Sequence, residues 1–288
     1  MKCKRRLRRR RQNCKPSANT IEKVFGRVKV LVNYSEQRVI VKLESPVAHL
    51  TLSNPPLNVI DIRMMDELAS ALAEIESRSE ISTIVIPGAG NSFSAGVDVA
   101  AHTPDQVATM LEKFHAVIRA LVASKKVTIA VVHGHCLGGG AELAMVCDLV
   151  YSTHDALWGF PEIQLGCFPP VAVTALASLI STKRAVELIL TSKTISGSDA
   201  HAIGLVTQSV DSGSLDAHLN QVLDRLRGLS PATLALTKKA VYAWDAIHFD
   251  KGLARAEKIY LDELAITEDA QEGIRAFLEK RPPRWKNR

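Results

Sequence analysis

His133-Gly134-His135-Cys136-Leu137-Gly138-Gly139-Gly140-Ala141-Glu142-Leu143-Ala144 reads as the end of a strand, a glycine loop and the start of a helix. The run before it, 127–132, is continuously apolar or β-branched and suits a buried strand. Three successive glycines let the backbone approach a ligand and aim free N–H groups at it. The helix N-terminus that follows favours developing negative charge. No Lys-Ser or Lys-Thr follows the glycines, and the spacing G-x-G-x-x-G is absent, so neither the Walker loop nor the dinucleotide fingerprint fits. Donors without a lysine suit an oxyanion better than a triphosphate.

Glu142 lies two residues past the loop, among Ala141, Leu143, Ala144, Met145 and Val146. A lone helix glutamate is ordinarily exposed, but these neighbours point to a buried acid. Burial raises a carboxyl pKa toward the range useful for proton transfer. Glu162, in Trp158-Gly159-Phe160-Pro161-Glu162-Ile163, has similar surroundings. From that segment alone, a turn carboxylate capping a helix is the plainer reading. Two acids in apolar settings, one beside a glycine loop, form a candidate general acid–base pair. A second N–H donor is offered by Phe93-Ser94-Ala95-Gly96-Val97-Asp98, in which Asp98 reads as a cap or a pocket acid. His133 and His135 alternate along a strand end without a partner at metal spacing, so they read as structural and no metal is expected. No serine sits in G-x-S-x-G, which argues against a hydrolase elbow.

Outward from these motifs, strand and helix alternate. Runs at 28–32, 39–43 and 47–52 read as strands, with turns at 34–37 and 44–46, and Ser53-Asn54-Pro55-Pro56 stops the last. A helix is expected from about Asp61, with Met64, Met65, Leu68, Leu72 and Ile75 on one face. Residues 83–86 form the next predicted strand. A second helix is predicted to begin with Thr103 as N-cap, Pro104 at the first position and Gln106 three residues after the cap. Its apolar face is Val107, Met110, Leu111, Phe114, Val117, Ile118 and Leu121. A short strand at 149–152 follows, and strand and helix keep alternating through 205–210. From about Leu215 the pattern is helical, through 232–246, 253–264 and 270–278. This alternation argues an α/β fold with a helical C-terminal subdomain.

The 288 residues are 47% hydrophobic and 23% charged, an ordinary globular composition that excludes a disordered or collagen-like chain. The formal charge is +6, but residues 1–15 hold nine lysines and arginines and no acid, leaving the rest net acidic. That leader lacks the apolar segment of a secretory signal. It reads as a disordered, solvated tail over residues 1–20, with a transit peptide or a nucleic-acid arm as alternatives. Order is expected from near Ile21. The longest apolar stretch is far short of a membrane span, so no membrane is expected as a partner. Five cysteines without C-x-x-C spacing fit a reducing, cytoplasmic compartment, with Cys136, Cys147 and Cys167 packed as small hydrophobes.

At this point the chain resembles the crotonase (enoyl-CoA hydratase/isomerase) superfamily. The resemblance rests on Asn54-Pro55-Pro56-Leu57-Asn58-Val59, on residues 93–98 and 136–148, on Phe160-Pro161-Glu162-Ile163-Gln164-Leu165-Gly166, and on Ala200-His201-Ala202-Ile203-Gly204-Leu205-Val206. It covers roughly residues 24–288, and the two glutamates twenty residues apart are those of the hydratase branch. It implies a spiral of ββα units over 21–214, and a helical region over 215–288 that mediates trimers, often paired into hexamers. The implied substrate is an acyl-CoA thioester, with coenzyme A part of the substrate and no further cofactor. Val97 and Gly139 match the oxyanion-hole positions. Glu142 and Glu162 match the catalytic acids, the counterpart of Glu162 usually donating the proton and that of Glu142 positioning or deprotonating the water. Leu57, Ala95, Gly96, Asp98, Val99, Gly138, Gly140, Pro161 and Phe168 fall at substrate-binding positions. Phe277 and Lys280 match positions that reach a neighbouring subunit's nucleotide.

Several stretches depart from ordinary short-chain hydratases and resemble the cyclohexa-1,5-diene-1-carbonyl-CoA hydratases. They are 101–106, Gly166-Cys167-Phe168-Pro169-Pro170-Val171-Ala172, Ile259-Tyr260-Leu261-Asp262-Glu263-Leu264 and 276–285. Pro169-Pro170-Val171-Ala172-Val173 replaces a Gly-Ala-Gly-Gly run that lines the acyl pocket, so the acyl group is expected to differ from crotonyl. Ala100 replaces a lysine common in the CoA loop. The resemblance therefore implies hydration of a cyclic dienoyl-CoA. A general short-chain enoyl-CoA hydratase or an isomerase is the near alternative. An RNA-binding crotonase-like protein is the distant one, and nucleic acid is not the expected partner.

Overall fold

The computed structural model describes residues 37–242 and 246–286, with 246 and 247 as backbone, and the backbone of two short strands, Val24–Phe25 and Val28–Lys29. The basic segment 1–20, the expected onset of order near Ile21, the turn at 34–36, and residues 243–245 of the expected 232–246 helix lie outside the described residues. Two compact units divide the chain, Met1–Gln37 and Arg38–Arg288. In the first, β1 (Val24–Phe25) pairs antiparallel with β2 (Val28–Lys29).

The second unit begins with the hairpin β3 (Val39–Glu44) and β4 (Val47–Leu52), then α1 (Ile62–Ser77), β5 (Thr83–Pro87), α2 (Val107–Ala123) and β6 (Val127–Val132). A short strand β7 (His135–Leu137) leads into α3 (Gly139–Met145), then β8 (Leu149–Thr153) and β9 (Leu157–Gly159). Next come α4 (Pro170–Ile180), α5 (Thr182–Thr191), β10 (Ile195–Ser196), α6 (Gly197–Ala202) and β11 (Gln208–Val210). The chain closes with α7 (Leu215–Arg227), α8 (Pro231–Val241), α9 (Ala246–Ile259), a π-helical turn at Tyr260–Leu264, and α10 (Glu268–Leu278).

Six strands form the main sheet in the order β11-β8-β6-β5-β4-β3, all parallel except the β3–β4 pair. A smaller sheet has the order β10-β9-β7, and single bridges carry its direction onward from Cys136 to Ser94 and from Val97 to Ile60. Each turn of chain thus adds a strand to the main sheet, a short strand or bridge to the small one, and a helix outside. This is the spiral of ββα units that the resemblance implies. Parallel neighbours require such crossovers, because no short turn can join them. β6 is buried along its whole length, as a strand covered on both faces must be.

Local sequence explains the elements that frame the cavity described below. Asp61 caps α1, its Oδ1 accepting from Met64 N at 2.8 Å, and the five expected apolar residues are buried. The expected face of α2 is buried in full, together with His115. The expected cap of α2 is not formed. The helix starts at Val107, and Thr103 Oγ1 is buried without a partner. Asp98 Oδ1 instead caps a 3-10 turn over Val99–His102, accepting from Ala100 N at 3.0 Å, and that turn runs up to Thr103. Thr103 then contributes only its carbonyl, which accepts from Gln106 N and Val107 N at 2.9 Å each. On the other face of the sheet, Leu215, Leu219 and Leu223 of α7 pack with Val85, Ile129 and Val131. Among the described residues no helix is long and apolar enough to cross a membrane.

Candidate active site

The glycine loop works through contact as much as through flexibility. Gly138 has φ +50° and ψ −128°, and a Cβ there would stand 2.7 Å from Glu162 Oε1. Only glycine fits both the backbone and the neighbouring carboxyl. A Cβ on Gly139 would meet Val97 Cγ2 at 2.6 Å and Val97 N at 3.3 Å, so the helix start and the 93–98 loop are in close contact. Gly140 has the same role one residue on, against Ser94.

That loop is held from below. Asn58 is buried, and its Nδ2 donates to Ala89 O at 2.8 Å and Ser92 O at 2.7 Å. Ser94 Oγ donates to Asn58 O at 2.8 Å and accepts from Gly96 N at 3.1 Å. Ile60 N donates to Gly96 O at 2.9 Å, and Asp98 N donates to Ile60 O at 3.1 Å. In extended backbone successive N–H groups alternate sides, so Val97 N–H points away from Ile60, and a Cβ on Gly139 would lie 3.3 Å from that nitrogen. Gly139 N–H is one of the free donors of a helix first turn. Neither N–H has an acceptor among the described residues.

Glu142 is buried in the first turn of α3. Its Oε1 accepts from Val171 N at 2.8 Å and Ala172 N at 2.9 Å, the first N–H groups of α4. Burial raises its pKa, and these two amide bonds oppose the rise by favouring the carboxylate. Glu162 sits in a 3-10 turn, Pro161–Leu165, and its Oε2 is buried without a partner. Burial first, and then the charge of Glu142, push its pKa well above the ordinary carboxyl value. The two acids therefore differ in a chemically useful way. Glu142 has donors that stabilise its anion, whereas Glu162 has an orphan oxygen that favours its protonated form.

One cavity of about 200 Å³ collects these groups. From the sequence-predicted set it brings together Ala95, Gly96, Val97 and Val99; Gly138, Gly139 and Glu142; Pro161, Glu162 and Phe168; and Phe277. Phe277, expected to reach a neighbouring subunit, lines the cavity of its own chain and is half exposed. Four predicted contacts are elsewhere. Leu57 is exposed and supports the loop through its carbonyl, which accepts from Ala95 N at 2.9 Å. Asp98 is engaged in its cap, Gly140 is packed behind the wall against Ser94, and Lys280 is exposed past the end of α10.

Sequence reasoning missed Tyr260, His102 and His115, which also line the cavity. Tyr260 is buried edge-on to Phe168, with ring centroids 5.2 Å apart. Its hydroxyl is pushed up by burial. His102 Nδ1 lies 3.0 Å from Asp98 O, and burial lowers its pKa so that the ring is neutral. His133 and His135 have the structural bonds expected of them, Nε2 to Gly90 O at 2.9 Å and Nδ1 to Ser92 Oγ at 3.2 Å. Among the described residues no three His, Cys, Asp or Glu side chains are grouped to hold a metal.

The family model described as enoyl-CoA hydratase/isomerase matches residues 42–288. Cyclohexa-1,5-dienecarbonyl-CoA hydratase of Thauera aromatica is 32% identical over 254 residues, covering 88% of this chain and 98% of that protein. A probable enoyl-CoA hydratase of Bacillus subtilis is 35% identical over 246 residues, covering 83% and 95%. The crystal structure of an enoyl-CoA hydratase from Mycobacterium avium subsp. paratuberculosis superposes with a TM-score of 0.79 at 26% identity, covering 87% of this chain and 99% of that one.

Proposed function

The chain belongs to the enoyl-CoA hydratase/isomerase family, and on that premise we propose that it is a hydro-lyase adding water to an α,β-unsaturated acyl-CoA, with cyclohexa-1,5-diene-1-carbonyl-CoA as its leading substrate. The observation that carries the reading is the meeting, in one cavity, of the buried Glu142 carboxyl, the buried and unpartnered Oε2 of Glu162, and two N–H groups without acceptors among the described residues.

In this reading the thioester oxygen lies between Val97 N–H and Gly139 N–H. These fixed donors stabilise the negative charge that moves onto the oxygen as a nucleophile attacks the β-carbon. Glu142 takes a proton from a water, whose hydroxide adds to the β-carbon. Glu162 delivers its proton to the resulting carbanion, at the α-carbon of an enoyl thioester or at the γ-carbon of the ring dienolate. One O–H bond of water and one C=C π bond break, and one C–O and one C–H bond form. The proton taken up by Glu142 returns to Glu162 before the next turnover, so that one water is consumed and no external oxidant or cofactor enters the balance. The bonds from Val171 and Ala172 favour the assignment of Glu142 as base, and the orphan Oε2 favours Glu162 as acid. The cyclic substrate is supported by the Pro169-Pro170 wall of the cavity and by the Thauera relative. A homotrimer or a dimer of trimers is the assembly proposed with this fold.

The test is loss of conjugated-thioester absorbance with purified protein, on cyclohexa-1,5-diene-1-carbonyl-CoA and on crotonyl-CoA. Turnover of the diene with little on crotonyl-CoA supports the cyclic substrate. Preference for crotonyl-CoA moves the enzyme to general short-chain enoyl-CoA hydration. Double-bond migration without uptake of water makes it an isomerase and refutes the hydro-lyase reading.

A further inference from the structure

A second cavity, of about 310 Å³, adjoins the one that holds the two glutamates. It lies between α10, the π-helical turn and the end of the 3-10 turn at His102, and the hydration chemistry above does not use it. Leu264, Ala265, Ala270 and Ile274 give it an apolar wall, and the exposed Arg275 and Glu279 stand at its rim. His102, Cys167 and Tyr260 line both cavities. A side chain that lines two cavities fills part of the space between them, and Tyr260 is the largest of the three. It is buried and held edge-on to Phe168, a wall of the first cavity, with ring centroids 5.2 Å apart. Its carbonyl accepts from Ala265 N at 2.8 Å, the bond of a π turn, a distortion found mostly at functional sites.

We infer that Tyr260 is the partition that sets how long an acyl group the site accepts, its ring ending the acyl cavity and shutting straight chains out of the apolar chamber behind; this rests on the acyl-CoA reading above. A thioester whose oxygen is held at Val97 and Gly139 has only the remainder of about 200 Å³ for its far end. Phe168, Pro169, Pro170 and Tyr260 bound that space. A ring folds its carbons back on themselves and suits a short, wide cavity, whereas a straight chain needs length. With the partition gone, a longer chain would enter the second chamber. Its apolar wall would then reward each methylene taken from water with about a fourfold gain in affinity.

The test is calorimetric titration with hexanoyl-, octanoyl- and decanoyl-CoA, saturated thioesters that have no double bond to hydrate. The wild-type protein is expected to bind decanoyl-CoA no more tightly than hexanoyl-CoA. Tyr260→Ala should bind decanoyl-CoA about tenfold or more tightly than hexanoyl-CoA. Tyr260→Leu, which leaves a smaller void should the alanine variant not fold, should change the ratio in the same direction. Tyr260→Phe keeps the ring and should keep the wild-type ratio. Adding Ala265→Phe to Tyr260→Ala refills the second chamber and should remove the gain. The inference is overturned by wild-type affinity that already rises through decanoyl-CoA, or by folded alanine and leucine variants with the wild-type ratio. A gain that appears with phenylalanine at position 260, or one that survives Ala265→Phe, overturns it as well. If none of the thioesters binds the wild-type protein, the acyl-CoA reading falls, and the inference with it.

Discussion

Replacing Gly139 by alanine tests whether the two amide N–H groups act as donors. The residue is helical, so alanine is conformationally acceptable there, and the consequence lies in what its methyl meets. It would stand 2.6 Å from Val97 Cγ2, 3.3 Å from Phe114 Cζ and 3.3 Å from Val97 N. The Cγ2 can turn aside, but Val97 N is fixed by the bonds of Gly96 and Asp98 to Ile60. The methyl therefore occupies space beside Val97 N–H, where the thioester oxygen is proposed to sit. Loss of one such donor lowers kcat by about 10²–10³. Overpacking adds a separate destabilisation of about 1–3 kcal/mol. The two effects separate in the double variant Val97→Ala/Gly139→Ala, which removes the Cγ2 clash and keeps both backbone N–H groups. Initial rates of thioester hydration, with thermal melts alongside, should find stability recovered and kcat still reduced about 10²-fold or more. Recovery of wild-type kcat in the double variant would refute the reasoning, because the loss would then lie in packing.

Glu162→Gln bears on stability as well as on rate. A carboxyl whose folded pKa is raised contributes stability below its unfolded pKa that is lost as pH rises through the folded value. The melting temperature of Glu162→Gln relative to wild type should therefore increase from pH 5 to pH 8; a constant difference would contradict the raised pKa. Glu272 is the opposite case: hydrogen bonds from Arg281, then Arg275, hold its pKa far below the ordinary value. Its contribution is present above the unfolded pKa and lost as pH falls toward the folded one, so Glu272→Gln should lower the melting temperature at pH 7, with the deficit shrinking below about pH 4. Lys238 Nζ lies 2.7 Å from Asp148 Oδ2 and 2.9 Å from Lys126 O, with both charged side chains nearly buried. Lys238→Met should destabilise by about 3 kcal/mol in urea titration while leaving kcat unchanged.

Legibility in the sequence followed the range of the interaction. The stripes of α1 and α2 depend on residues three or four apart, and periodicity shows them directly, along with a start for α1 near Asp61. The burial of Glu142 was legible from its apolar neighbours, but not its partners Val171 and Ala172, which are brought in by a different helix. Glu162 does lie in a turn, the plainer expectation, yet its carboxyl is turned inward over Gly138 rather than spent on a cap. Thr103, Pro104 and Gln106 satisfy every local rule for a helix start. The competing cap at Asp98, five residues earlier, places Thr103 at the end of another turn. His115 Nδ1 lies 2.6 Å from Glu257 Oε1 across 142 residues of sequence, and neither position has a local pattern that marks it. His115 reads as a neighbour of Phe114 on a buried stripe, and Glu257 as an ordinary helix acid. Tyr260 sits where α9 passes into a π-helical turn, a change of pitch that apolar periodicity does not announce.

The central claim is that Glu142 and Glu162 divide the work of base and acid on one water. It is tested most directly by single-turnover hydration with Glu142→Gln and Glu162→Gln, each confirmed folded by its melt and each shown to bind acyl-CoA. The account predicts that each variant loses about 10²–10⁴ in the chemical step while thioester affinity changes little. A variant of either glutamate that hydrates the thioester within about tenfold of the wild-type rate would contradict it.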